Sequence, residues 1–252
     1  MELILTLDVG TTSVKACLFD RQLRQTALTS REYALQTRGV CAEAEAQVYL
    51  DAAAQCILSL PAEARARVCA VALTTQGETL LCVDRQGKAL RPAIVWLDSR
   101  AEAQAARLAA ALDRQRFYEC TGLPELSGAL PLAKLLWLRQ QEPESWARTD
   151  KFLLLEDYLM LWLTGRAVTE KSLLTSTGYF DLQSDDYWDE ALALAELDRT
   201  RLPQALACGS IVGPVLPEVA EALGLPASAC VVTGAMDQTA AALAAGCTRP
   251  GT

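Results

Sequence analysis

Histidine is missing altogether from the 252 residues. The commonest general base is therefore excluded, and any proton transfer falls to Asp, Glu, Lys, Tyr or Cys. Paired cysteines are missing too. Nine Cys stand singly with no C-x-x-C spacing, which argues against a zinc site, an iron–sulfur centre or a disulfide framework. Cys17, Cys69, Cys82 and Cys230 stand at apolar positions and read as small buried hydrophobes in a reducing compartment. Neither familiar phosphate loop occurs, G-x-x-x-x-G-K-[ST] or G-x-G-x-x-G. The most apolar run, residues 152–163, is interrupted by Glu156 and Asp157 and is too short to span a bilayer. Near the start, Glu2 and Asp8 stand without a basic n-region, so no signal peptide is expected and a soluble, cytoplasmic protein is. Positive charge is in deficit, 23 Lys+Arg against 31 Asp+Glu for a net −8. Nucleic acid would need a basic stripe, and none is found.

What is present is apolar and ordered. The chain is 51% hydrophobic, ample for a core and incompatible with disorder. Its length fits one large domain or two small ones, and neither an internal repeat nor a low-complexity linker divides it. Leu3, Leu5 and Leu7 alternate with Ile4, Thr6 and Asp8, the period of a strand. Gly10, Thr11, Thr12 and Ser13 make a turn, and residues 14–19 return as a second strand. Such a hairpin can aim backbone N–H groups and hydroxyls at a phosphate and leave Asp8 to hold Mg²⁺. It also reads as an ordinary hairpin.

Further along, 25–35 reads as a third strand of a meander, 43–60 as a helix with Val48, Ala52, Gln55 and Cys56 on one face, and 67–73 as a strand. A strand over 78–83 follows, and 94–97 restarts the chain after Pro92. Asp98 or Ser99 is a natural N-cap for an Ala-rich helix to about Leu112. Helices are expected over 130–141 and 154–163, the latter capped by Gly165, and again over 188–197 and 216–223. Near the end, 229–233 reads as a strand, 234–236 as a turn, and Asp237 heads a helix over 238–245. Strands in a meander, then strands and helices in mixed order, predict an α/β domain on a mixed sheet with flanking helices.

Three polar groups fall at strand ends or strand–helix junctions. They are Asp8 with Thr11, Thr12 and Lys15; Gln76, Gly77, Glu78 and Thr79, to which Asp98 could be joined; and 234–238 with Asp237 and Gln238. By local sequence Asp237 reads equally as a helix cap and as a base. A helix N-terminus favours a negative side chain there. Phosphoryl transfer needs a group that orients the attacking hydroxyl more than it needs a strong base.

Three stretches, DVGTTSVKACLFD, ALTTQGETLLCVDRQGKALRPAIVWLDSR and GPVLPEVAEALGLPASACVVTGAMDQTAAALAAG, together resemble the N-terminal domain of FGGY-type carbohydrate kinases, a family that includes glycerol kinase and xylulokinase. The resemblance spans 1–252 and implies a ribonuclease-H-like, actin-like ATPase fold. It implies ATP-dependent phosphorylation of a sugar or polyol. Asp8, Gly10, Thr11 and Thr12 would face phosphate and Mg²⁺, with Asp8 the metal ligand and Lys15 at the basic position. Asp237 would be the catalytic base, and Gln76, Gly77, Glu78, Thr79, Asp98 and Gln238 would meet substrate. The chain departs from the family's patterns. QGET lacks the Arg of glycerol kinases, Lys15 stands where they favour Arg, and neither the Met nor the His of the xylulokinase second motif is present. Gly77 should enlarge the pocket, hinting at a ketose or longer polyol. The family also carries a second domain that holds adenine, expected here as a missing C-terminal partner. On that expectation the chain alone binds ATP weakly or not at all. Self-association as a homodimer stays open. Two other classes share the fold: a nucleotide-driven conformational switch, which has no use for QGET or MDQ, and an activator ATPase with an iron–sulfur cluster, which the unpaired cysteines disfavour.

Overall fold

The computed structural model describes residues 2–249. Its opening strands pair in chain order as an antiparallel meander, β1 (Leu3–Val9), β2 (Ser13–Phe19) and β3 (Gln25–Glu32). Leu3, Leu5, Leu7 and Val9 are buried while the residues between them are half-buried, which is what a period of two gives on a one-sided sheet. The chain then runs through β4 (Gln36–Arg38), β5 (Cys41–Ala44), α1 (Ala46–Leu58), α2 (Ala62–Arg65), β6 (Val68–Thr75), β7 (Leu80–Val83) and β8 (Ala93–Ile94). Helices α3 (Glu102–Ala111), α4 (Arg114–Thr121), α5 (Pro131–Gln141) and α6 (Pro143–Arg148) follow. Next come β9 (Lys151–Leu154), α7 (Leu155–Thr164), β10 (Val168–Glu170), α8 (Lys171–Leu174), β11 (Phe180–Asp181), β12 (Asp186–Tyr187) and α9 (Asp189–Leu194). The described chain closes with β13 (Gln204–Leu206), β14 (Ile211–Pro214), α10 (Pro217–Leu223), β15 (Cys230–Met236) and α11 (Asp237–Ala244).

A six-stranded mixed sheet runs in the order β14-β15-β6-β1-β2-β3. Its three central strands are parallel, β15 to β6 and β6 to β1. A second sheet, β4-β5-β8-β7-β9, is antiparallel throughout. Its strand β7 divides the interior. Leu81 and Val83 join the core under the large sheet with α1 and α7, and Leu80 and Cys82 join a second core with α3 and α5.

Local expectations are revised in several places; of the cysteines read as buried, Cys82 is, but Cys17 and Cys230 are half-buried and Cys69 is exposed. The helix predicted over 43–60 begins at Ala46, because 41–44 pairs as β5 with both β4 and β8. Its buried face is Tyr49, Ala52, Ala53, Cys56 and Ile57, with Gln55 in solvent. Neither Asp98 nor Ser99 caps α3, which starts at Glu102 with no side-chain cap. The turn predicted over 234–236 is instead the bulged end of β15, whose register on β6 slips between Val232 and Ala235. Gly165 does cap α7, in the left-handed conformation with φ +70°.

Candidate functional site

The parallel strands end level with one another. Val9 pairs with Thr75, and Thr75 with Met236. The residues that follow each strand therefore emerge side by side at the carboxyl edge of the sheet, the usual ligand position in α/β folds. They are Gly10 and Thr11 after β1, Gln76 to Glu78 after β6, and Asp237 and Gln238 after β15. A pocket of about 280 Å³ opens there, lined by Thr11, Gln76, Gly77, Glu78, Trp96, Asp237 and Gln238. Five of the residues expected to meet substrate or act on it (Gln76, Gly77, Glu78, Asp237 and Gln238) are thus brought to one cavity from stretches about 160 residues apart.

On the β1 side the hairpin is pinned from several directions. Gly10 N donates to Ser13 O at 3.0 Å, the Tyr33 hydroxyl donates to Gly10 O, and Gln76 N donates to Val9 O at 3.0 Å. Asp8 and Lys15, opposite each other in the register, form an ion pair of 3.1 Å with both side chains about half exposed. Thr12 is exposed, and Thr11 Oγ1 accepts from Trp96 Nε1 at 2.9 Å. Asp8, Gly10, Thr12 and Lys15 do not line the pocket; they border it through Thr11.

The β6 side forms the wall. Gln76 is 3% exposed; its Nε2 reaches only the Tyr49 hydroxyl at 3.5 Å, and its Oε1 has no partner among the described residues. A buried acceptor at a pocket wall is costly unless something arrives to donate to it. Glu78 holds φ +57°, a left-handed conformation uncommon for a residue other than glycine. Burial pushes the Glu78 carboxyl above its ordinary range, while a hydrogen bond from Ser176 and the charge of Lys134 draw it back. Lys134 itself is buried on α5 and donates to Glu78 O at 3.1 Å and Val95 O at 3.0 Å, and desolvation lowers it to about 7. A Cβ added at Gly77 would come within 3.3 Å of both Met236 Sδ and Ser176 Oγ. The glycine thus makes room for the end of β15 and for Ser176.

Thr79 and Asp98 lie elsewhere than expected. Thr79 is fully buried and its Oγ1 accepts from Trp96 N at 3.3 Å. Asp98 is also fully buried, accepting from Ala42 N at 2.7 Å and from the Arg100 guanidinium at 2.7 Å. Arg100 continues to Glu43 at 2.8 Å, so Asp98 belongs to an ion-pair network that fixes the wall from behind. Two contributors were not singled out in the sequence. Trp96 is an exposed aromatic ahead of a buried carboxylate, and Lys134 is a lone charge among buried apolar residues of α5; that mismatch was the available signal.

On the β15 side Asp237 is the first residue of α11, with Met236 at the N-cap. Its Oδ1 accepts only from the next amide, Gln238 N at 2.8 Å. The carboxylate is half-buried at the pocket, free of any cation pair among the described residues. Among the same residues no cluster of three or more His, Cys, Asp or Glu could cage a metal. Asp8 is a half-exposed carboxylate at the hairpin, the kind of oxygen donor that Mg²⁺ takes alongside substrate phosphates. Among the described residues no helix is long and apolar enough to cross a membrane.

Comparison with known proteins agrees with this geometry. Residues 3–244 match the FGGY family of carbohydrate kinases, N-terminal domain. A xylulose kinase of Lactococcus lactis subsp. lactis (strain IL1403) is 32% identical over 98% of this chain and 50% of its own. A gluconokinase of Bacillus subtilis (strain 168) is 26% identical over 93% of this chain and 46% of its own. The crystal structure of xylulose kinase from Rhodospirillum rubrum superposes with a TM-score of 0.94 at 31% identity, covering 99% of this chain and 52% of that one. The chain thus spans about half the length of the relatives it matches. By sequence and by fold, it belongs to the FGGY family of carbohydrate kinases and corresponds to their N-terminal domain.

Proposed function

We propose that the complete gene product phosphorylates a hydroxyl of a sugar or polyol at the expense of ATP, a ketose such as xylulose being favoured, and that this chain supplies the sugar site and the base. The observation that carries the reading is the single pocket gathering Thr11, Gln76, Glu78 and Asp237 at the level ends of three parallel strands. The Glu78 carboxylate accepts from one substrate hydroxyl, while Gln238 offers both donor and acceptor to others. Asp237 accepts the proton of the attacking hydroxyl as the bond to the γ-phosphoryl group forms, and it holds that hydroxyl in line. Thr11 and Thr12 stand where the transferred phosphate would lie. The Asp8–Lys15 pair is about half exposed and contributes little. It is therefore free to divide, Lys15 toward phosphate and Asp8 toward Mg²⁺. Bound Mg²⁺ would neutralise charge on the phosphates. The matched xylulose kinases and gluconokinase support an open-chain or ketose substrate, and the acidic surface does not oppose a neutral one. Since relatives are twice as long, turnover is proposed for the complete gene product.

A coupled ADP-release screen against ketopentoses, ketohexoses, polyols, glycerol and gluconate tests this, with the 252-residue chain run in parallel. Sugar-dependent ADP release on one of the ketoses is expected. Release on none of the panel, with nucleotide still bound, contradicts the reading.

A further inference from the structure

The last three residues before Asp237 are held in an unusual way. Where β15 slips on β6, the ladder no longer serves the backbone of residues 233–234, yet buried N–H groups require acceptors. At Gly234 the two strands are pressed so close that an added Cβ would stand 1.4 Å from Leu73 O. Its N–H turns away from β6, toward α7, and donates to Glu156 Oε1 at 3.2 Å. On β6, Thr74 Oγ1 donates to Ala235 O at 2.7 Å. Met236 N donates to Ser172 Oγ on α8 at 3.0 Å, and that hydroxyl in turn donates to Glu170 Oε2. Three consecutive residues, Gly234, Ala235 and Met236, are thus each fixed through a backbone atom by a side chain from a different element.

Glu156 is a costly choice for such a task. It is 1% exposed, and its Oε2 has no partner among the described residues. Burial drives its carboxyl well above the ordinary range, and the nearby Asp157 and Glu170 add to the rise. A leucine would pack on α7 without that penalty. What leucine could not do is accept from Gly234.

We propose that Glu156 and Ser172 are positioning residues, holding the bulged end of β15 so that Asp237 is aimed into the pocket. The inference rests on Asp237 being the base. In this role Glu156 acts as a neutral acid through its carbonyl oxygen, an oxygen that glutamine also presents.

The test compares Glu156→Gln, Glu156→Leu and Ser172→Ala in the complete gene product, reading kcat, sugar Kd and hydrogen exchange at the Gly234 and Met236 amides. Glu156→Leu and Ser172→Ala should lower kcat about 10–100-fold, the scale of a misplaced catalytic group, with sugar Kd within about threefold. The amide whose acceptor is removed should exchange faster in each. Glu156→Gln should stay close to wild type in all three readouts. Unchanged kcat in Glu156→Leu and Ser172→Ala overturns the proposal, as does a Glu156→Gln enzyme as impaired as Glu156→Leu. If Glu156→Leu fails to fold, Ser172→Ala decides, since it deletes a single hydroxyl. Should Asp237→Asn leave kcat intact, it is the assignment of the base that fails, and the exchange rates still report whether these side chains hold the strand.

Discussion

Glu78 combines three features that rarely coincide by accident: a left-handed backbone, partial burial of a carboxylate, and a buried lysine bound to its carbonyl. Each costs stability, and strain of this kind collects where a side chain must be aimed. Glu78→Ala should therefore weaken sugar affinity about 10–100-fold, the value of hydrogen bonds to a charged group, measured calorimetrically. An unchanged Kd and kcat/KM would remove Glu78 from the site. Asp157 makes a different prediction at the same scale. It is fully buried, and desolvation raises its carboxyl to about 7 while Leu154 N at 2.7 Å pulls the other way. A carboxyl raised in the folded state contributes stability that is complete below its unfolded value of 3.8 and is lost as pH climbs through about 7. Asp157→Asn keeps the acceptor for Leu154 and cannot ionise. It should gain on wild type between about pH 5 and pH 8, by on the order of 3 kcal/mol in urea unfolding. A difference that does not vary with pH contradicts the assignment.

Among the elements, β15 carries the heaviest constraint. Gly234→Ala would drive a methyl group into the Leu73 carbonyl, a clash with backbone that no rotamer relieves. The expected cost is about 3 kcal/mol or more, seen as a lower urea midpoint with the same slope; a loss within about 0.5 kcal/mol would show that the strands can part freely. This element also shows where sequence reading stops. The alternation in β1, the Gly165 cap and the position of the polar groups at strand ends were all legible, because period, turn chemistry and capping are local. The bulge at 234–236 read as a turn, because Gly next to small residues signals a turn locally and only the approach of Leu73, some 160 positions earlier, reveals a strand. Asp98 read as a cap for the same reason. Arg100 is a neighbour two positions on, but the distant partner, Ala42 N, is brought to it by the pairing of β5 with β8, which no local pattern announces. Glu156 and Asp157 were visible only as interruptions of an apolar run, although Glu156 ties α7 to the strand that presents Asp237.

Among the described residues two large sheets and two small two-stranded ones surround two cores that meet at β7, with the pocket at the carboxyl edge of the largest sheet. Matching strand lengths, more than any single motif, bring residues 11, 78 and 237 together. The family matched is one of carbohydrate kinases, and the use proposed for that edge rests on it. The central claim is that Asp237 takes the proton from the sugar hydroxyl. It is tested most directly by sugar-dependent ADP release from the complete gene product carrying Asp237→Asn, with sugar Kd measured alongside. A loss of about 10²–10⁴-fold in kcat with Kd within a few-fold is predicted; a loss of less than about tenfold would place the base elsewhere.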